Sequence, residues 1–155
     1  MLIHTLKSLL AAVGTGLLLT AAHPARAADP GIGDGTITLG MSAPFSGPNG
    51  AYGKEMREGA LAYFAQLNGA GGVNGKKIEL VTLDDGYEPD RCKANTEKLI
   101  KDEVFALLGY VGTPTCMAAL PLVNDAKIPF FGPFTGAEVL REPFSKHVFH
   151  LRASY

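Results

Sequence analysis

The run Ser46-Gly47-Pro48-Asn49-Gly50-Ala51-Tyr52-Gly53-Lys54 is the first stretch of this 155-residue chain with the makings of a binding loop. It is not a nucleotide-type phosphate cradle, because Pro48 stands five residues before Gly53 and Lys54 is followed by Glu55 rather than Ser or Thr. What remains is a glycine-rich bend onto a helix start, whose free N–H groups and positive dipole end suit an anion, a carboxylate included. Gly112-Thr113-Pro114-Thr115 has the same character, with Thr113 expected as an N-cap and Pro114 at the first helical position. Capping would leave the Thr113 hydroxyl able to face a ligand as well. Phe134-Thr135-Gly136 adds an aromatic wall, a hydroxyl and a backbone that can be approached closely.

Other chemistry-bearing residues lead to blander readings. Asp84-Asp85 is expected to organise the turn before Pro89, since the bends after the first and third strands bring no acid to pair with it for acid–base work. His147 and His150 have no Cys or acid at ligand spacing and read as surface or edge side chains. No nucleophile-elbow or zinc-hydrolase signature occurs, so the chain supplies positioning groups without a nucleophile and base. No metal and no cofactor are expected.

The elements that must position these residues alternate regularly. Ile37 to Met41 has apolar side chains at a period of two and ends in Ser42-Ala43-Pro44. From Ala51 the period becomes helical, with Tyr52, Met56, Ala60, Tyr63 and Leu67 on one expected face and a stop at Asn68-Gly69. A second strand is expected over Lys77 to Leu83, a helix from Pro89 to about Asp102, and a third strand over Phe105 to Tyr110. A helix from Pro114 to about Ala126 follows, then a strand over Ile128 to Phe131, a helical turn over Glu138 to Arg141 and a strand over Val148 to Leu151. Near-continuous apolar strands in this order imply an α/β fold with a doubly wound parallel sheet, strand order 2-1-3-4-5, covered on both faces. Ligands then bind outside the carboxyl ends of strands one and three, where the winding reverses. That geometry nominates residues 45–53, 111–115 and 132–136.

Residues 1–27 read as a secretory signal, with Lys7 near the start, an apolar run from Ser8 to Ala22, Pro24, and a small-x-small site with cleavage after Ala27. The apolar run is shorter than the ~20 residues of a membrane anchor. A soluble periplasmic or secreted protein is therefore expected, with no membrane insertion after cleavage. Residues 28–36 form an expected flexible lead-in, and residues 37–155 one domain. Removing Lys7 and Arg26 takes the 14 basic residues to 12 against 15 acidic, which argues against a nucleic-acid partner. In an oxidising compartment Cys92 and Cys116 can pair, closing a loop of about 25 residues.

The segments ITLGMSAPFSGPNGAYG (37–53), LNGAGGVNGKKIEL (67–80), LVTLDDGYEPDRC (80–92), LLGYVGTPTCMAALPLV (107–123) and IPFFGPFTGAEVLR (128–141) together resemble the branched-chain amino acid type of ABC-transporter substrate-binding protein. The resemblance, to the leucine/isoleucine/valine-binding proteins with the type I periplasmic binding fold, spans essentially all of the chain after the signal. It implies a protein of two lobes that closes on a small solute and hands it to a membrane permease, without catalysis. In that family the first lobe holds the ligand's head group from the bends after strands one, three and four. Carried over by motif, the ligand-binding residues are Tyr52, Gly112, Thr113, Phe134 and Thr135.

Two departures qualify what the resemblance implies. Branched-chain binders tend to have a small residue where Phe134 stands, which opens the ligand to other carboxylates, aromatic acids included. Their cysteine pair lies near Tyr87 and Gly112, whereas Cys92 and Cys116 each stand about one helical turn further on, so the pair moves together. Against that resemblance the chain reads as the N-terminal lobe of a truncated or fragmentary product, expected to lack the second lobe and to leave an apolar sheet face or edge open. An extracellular sensing module of the same fold is the alternative to an importer component, and an exported enzyme a third class. Permease and ATPase genes alongside would mark transport, a signalling segment would mark sensing, and turnover of a bound molecule would mark catalysis.

Overall fold

A computed structural model describes residues 29–155. The expected signal segment and its cleavage site lie outside the described residues. β1 (Thr36–Ala43), α1 (Gly50–Gly69), β2 (Lys77–Asp84), α2 (Pro89–Lys101), β3 (Ala106–Leu108), α3 (Thr113–Ala126), β4 (Phe130–Phe131) and β5 (Val148–Phe149) follow one another, with a 3-10 turn at Glu138–Leu140 before β5. All the pairings are parallel and the strand order is β2-β1-β3-β4-β5, as the alternation of periods predicts. The last three strands are shorter than expected. Positive φ at Gly109 ends β3 early, β4 begins two residues late at Phe130, and Gly132, also at positive φ, turns the chain toward the carboxyl rim beyond β4.

One face of the sheet is closed by α2 and α3, which pack on each other. Leu99, Leu107, Tyr110, Cys116, Val123 and Phe130 form the centre of that core. Gly40 lets this core close, since a Cβ there would stand 3.0 Å from both Leu99 methyl carbons. Tyr110 is wholly buried, its ring edge-on to Phe130 at 5.0 Å and its hydroxyl 3.1 Å from Thr96 Oγ1. That contact fastens α2 to the chain just beyond β3.

The other face carries α1, over a smaller cluster of Met41, Ala43 and Val111 with Met56, Leu80 and Leu108. Coverage of both faces, expected from the strand composition, is complete on only one of them among the described residues. Five strands about 4.8 Å apart span ~19 Å between outer axes, whereas a helix covers ~10 Å. Phe64, Phe105, Phe131 and Phe149 therefore border a wholly apolar hollow of about 380 Å³ over β3 to β5.

The inward face of α1 also differs by one residue at two places. Gly53, Met56, Ala60, Phe64 and Leu67 turn toward the sheet, while Tyr52 and Tyr63 are 54% and 62% exposed. The cause is contact distance: a Cβ on Gly53 would stand 1.9 Å from the Pro44 carbonyl oxygen. With glycine there the helix start rests on the end of β1, and Tyr52 is rotated toward the carboxyl rim. At the far end of α1, the Asn68 side-chain amide donates to the Ile78 carbonyl and accepts from its N–H, fastening the helix to β2.

The lead-in is not loose where it is described. Ile32 bridges Ile37, Thr38 N–H donates to the Gly31 carbonyl, Lys77 N–H to the Gly35 carbonyl, and Lys76 Nζ to the carbonyls of Gly33 and Asp34. These bonds satisfy backbone groups that a flexible segment would leave to water.

Two glycines of α1 give opposite expectations. Gly59 has nothing within 4 Å of an added Cβ. Gly59→Ala should stabilise the fold by about 0.5–1 kcal/mol through lost chain entropy, while Gly53→Ala should destabilise it by roughly 1–3 kcal/mol or more. Urea unfolding of the two variants beside the parent checks both signs.

Candidate functional site

The bends after the strands meet at the carboxyl rim around a cavity of about 390 Å³ lined by Asn49, Tyr52, Tyr87, Val111, Gly112, Thr113, Phe134, Arg152 and Tyr155. Four of the five nominated residues, Tyr52, Gly112, Thr113 and Phe134, are in that lining. Thr135 lies behind it, 1% exposed, with its Oγ1 2.6 Å from Thr113 Oγ1. A hollow of similar size, about 400 Å³, opens at the opposite end of the strands among Asp29, Pro30, Phe105 and Pro129. It lacks the hydroxyls and helix start that converge at the rim.

Local bonding explains how the rim is held. The β3–β4 ladder continues past both strands as a parallel bridge between Val111 and Phe134, with Phe134 N–H donating to the Tyr110 carbonyl at 2.7 Å. Gly112, not Thr113, is the N-cap of α3, at φ 103°, and Thr113 occupies the first helical position without a side-chain cap bond. The expected capping role is thereby corrected. Thr135 Oγ1 is taken up by Thr113 and by the Ala137 N–H, so the hydroxyl pair bridges two loops. Thr115 turns inward instead, donating to the Val111 and Gly112 carbonyls. The first N–H groups of α3 have no carbonyl one turn earlier within the helix to receive them, and Gly112 and Thr113 at that helix start line the cavity.

Sequence reasoning missed Tyr87, Arg152 and Tyr155, while Asn49 and Val111 fall inside the nominated bends without having been singled out. Tyr87 had a signal in the DDGYEP run: Asp85 accepts the Tyr87 N–H at 2.8 Å and Asp84 accepts the Gly86 N–H at 3.0 Å. The turn-organising reading of the acid pair therefore holds, and its product is a Tyr87 at φ 70° whose ring lies against Gly112. A Cβ on Gly112 would stand 2.4 Å from that ring. Arg152 and Tyr155 follow β5, where composition carries no pattern. The Arg152 guanidinium sits 4.9 Å from the Phe134 ring centroid and 5.7 Å from that of Tyr155.

Asp84 and Asp85 are driven in opposite directions. Desolvation would raise the Asp84 carboxyl, but hydrogen bonds from the Ser46 hydroxyl, the Phe45 and Gly86 N–H groups and Arg91 outweigh it and hold the group well below the ordinary carboxylate range. Asp84 thereby ties the end of β2 to the loop that carries Asn49 and Tyr52. Asp85 is fully buried, and desolvation raises its carboxyl despite bonds from the Tyr87 N–H and the Ser42 hydroxyl.

The Cys92–Cys116 disulfide expected on export is not formed, and both residues are free thiols inside the α2–α3 core. Cys116 Sγ points at the Tyr110 carbonyl, 3.7 Å away, while Cys92 faces Ser42, Asp85 and Thr96. Burial pushes the Cys92 thiol up to about 12. His147 and His150 flank β5 and are half-buried, with His150 Nε2 3.1 Å from the Leu140 carbonyl. Among the described residues no three metal-ligating side chains cluster, and no helix is long and apolar enough to cross a membrane.

Residues 36–155 match the family described as Periplasmic binding protein. A leucine-, isoleucine-, valine-, threonine- and alanine-binding protein of Pseudomonas aeruginosa is 32% identical over 114 residues, covering 74% of this chain and 31% of the relative. The structure of a possible leucine/isoleucine/valine-binding protein from Rhodopirellula baltica superposes with a TM-score of 0.74 at 41% identity, covering 84% of this chain and 34% of that one. A fatty acid ABC transporter substrate-binding protein from Thermomonospora curvata superposes at 0.77 with 27% identity, over 83% and 32% of the two chains. The chain thus spans about a third of the length of these relatives.

The Asp84 latch gives a pH-dependent expectation. A carboxyl held below its unfolded value contributes stability that is complete above about pH 4 and is lost as pH falls through the folded value. Asp84→Asn should cost about 1.5–3 kcal/mol at pH 7, and the difference from the parent should narrow as the pH is lowered below about 4 toward 2. Urea midpoints across that range measure it.

Proposed function

The chain belongs to the periplasmic binding protein family, of the leucine/isoleucine/valine-binding type, and on that footing we propose that it serves as the solute-binding component of an ABC importer. Proteins of this family bind substrates, so the chain is a binding protein and not an enzyme. Its proposed ligand is a branched-chain amino acid or a related small carboxylate, its proposed partner a membrane permease, and its proposed location the periplasm.

The observation that carries this reading is the convergence of Tyr52, Gly112, Thr113 and Phe134 on one cavity at the reversal of strand order, with Thr135 bonded behind Thr113. Hydroxyls and the first N–H groups of a helix are donors that favour an oxyanion, and none of the nine lining residues is acidic. The relatives point the same way. One binds leucine, isoleucine, valine, threonine and alanine, another is a fatty acid transporter component, and the group those solutes share is a carboxylate.

In this reading Thr113 donates to the ligand's carboxylate, Thr135 orients Thr113, Gly112 keeps the backbone accessible, and Tyr52 and Phe134 wall the cavity. Mass spectrometry of small molecules released on denaturing the natively purified protein should find a small carboxylate at stoichiometric level. A protein that carries none, and that takes up none when dialysed against amino and organic acids, is not a carboxylate binder. Thr113→Val should weaken binding of that acid by about 1.5–3 kcal/mol, the worth of one hydrogen bond to a charged group, and calorimetry showing unchanged affinity would remove Thr113 from the site.

A further inference from the structure

Asp85 is a carboxyl group of the core that lies outside the cavity lining. It is wholly buried just beyond β2, and neither ion pair among the described residues includes it. Three hydrogen bonds in series pass through it. Asn95 on α2 donates from Nδ2 to Ser42 Oγ at 3.1 Å, Ser42 donates to Asp85 Oδ2 at 2.8 Å, and Asp85 Oδ1 accepts the Tyr87 N–H at 2.8 Å. The relay runs one way. The same Asn95 nitrogen is 3.2 Å from the Asp84 carbonyl, which can only accept, so the amide's donor end faces Ser42 and the Ser42 proton is left for Asp85. Each carboxylate oxygen thus already receives a hydrogen, and a proton added to either one weakens the bond held there.

The far end of the relay is at the rim. Tyr87 sits at φ 70°, a conformation that a large side chain holds only under constraint, with its ring against Gly112, the N-cap of α3. Tyr87 and Gly112 both line the cavity. The groups around the carboxyl leave it to titrate by itself in mild acid. β1 presents Ser42, α2 presents Cys92 and Asn95, and Tyr110 and Cys116 lie within reach of its charge. Burial holds both thiols and the phenol above their ordinary values, so all three are neutral. Asp84, the like charge beside it, is paired with Arg91 and held well below the ordinary carboxylate range. Desolvation raises Asp85 itself, so it takes up its proton while Asp84 keeps its charge.

We propose that Asp85 is a positioning residue for the cavity: as a carboxylate it holds the Tyr87 ring over Gly112, and on protonation it releases that ring, so the charge of a core acid sets the shape of the rim where α3 opens. The consequence for a ligand rests on the carboxylate-binding reading of the cavity. The coupling itself is carried by the chain's own residues and can be measured without a ligand.

The experiment follows the Asp85 carboxyl carbon and the Gly112 and Thr113 amides of the isotope-labelled chain as the pH falls from about 7.5 to 4. The three signals are expected to move with one midpoint, above that of the exposed carboxylates. Ser42→Ala removes a donor to the carboxylate and should raise the Asp85 midpoint, with Gly112 following it to the same new value. Asp85→Asn should leave the two amides independent of pH, at the positions the parent reaches in acid, and the Ser42→Ala comparison decides the matter if that variant does not fold. Amides that stay still while Asp85 titrates, or an Asp85 that keeps its charge throughout, overturn the proposal. L-leucine, whose own charges do not change over this range, is then titrated on each side of the midpoint. Its affinity should be about fivefold or more weaker on the acid side, the lower end of typical coupling between two sites. Equal affinity on both sides overturns the proposal. Matched titrations with no leucine binding at any pH uphold the positioning of Tyr87 and count against the proposed ligand class.

Discussion

β1 and β3 are hydrogen-bonded neighbours, yet the chain leaves β1 toward β2 on one side and β3 toward β4 on the other. Right-handed crossovers then oblige α1 to lie on one face and α2 and α3 on the opposite one. No connection crosses the seam above the β1–β3 pair, and the main chain opens there. Positive φ at Gly109 and Gly112 steers the continuation of β3 along that opening. The cavity follows from connectivity, and side chains only furnish it.

The furnishing depends on an acid pair used in two senses. Asp84 is partly exposed, ionised and bonded outward to Phe45 and Ser46, so it pins the first bend. Asp85 points inward to Ser42 and turns the backbone so that Tyr87 meets Gly112. Adjacent residues on a strand face opposite sides of the sheet, which is why one dipeptide can serve both loops. The buried member raises the cost of its own charge, and its bonds to Ser42 and Tyr87 offset part of that.

Strand order and the nominated bends were legible because they follow from period and crossover handedness, both written locally in the sequence. The α1 face was misread at Tyr52 and Tyr63 because apolar periodicity cannot register a glycine chosen for close approach; the 1.9 Å gap at Gly53 is a tertiary fact. Thr113 looked like an N-cap, whereas Gly112 takes that place at φ 103°, with the Tyr87 ring against it. Arg152 and Tyr155 were invisible, because their place depends on Tyr155 N–H reaching the Gly136 carbonyl across the rim.

Each of the five strands sends residues from beyond its carboxyl end into the cavity: Asn49 and Tyr52 after β1, Tyr87 after β2, Val111 to Thr113 after β3, Phe134 after β4, Arg152 and Tyr155 after β5. Of the frame that holds them, only the Val111–Phe134 bridge that extends the β3–β4 ladder contributes side chains to that lining, and the Tyr110–Phe130 core contributes none. A substitution at Phe134 or Arg152 therefore alters the cavity lining without passing through the core, whereas a change at Gly112 or Asp85 alters the shape of the rim itself. The threonine pair stands between these classes, with Thr135 buried as part of the frame and Thr113 in the lining.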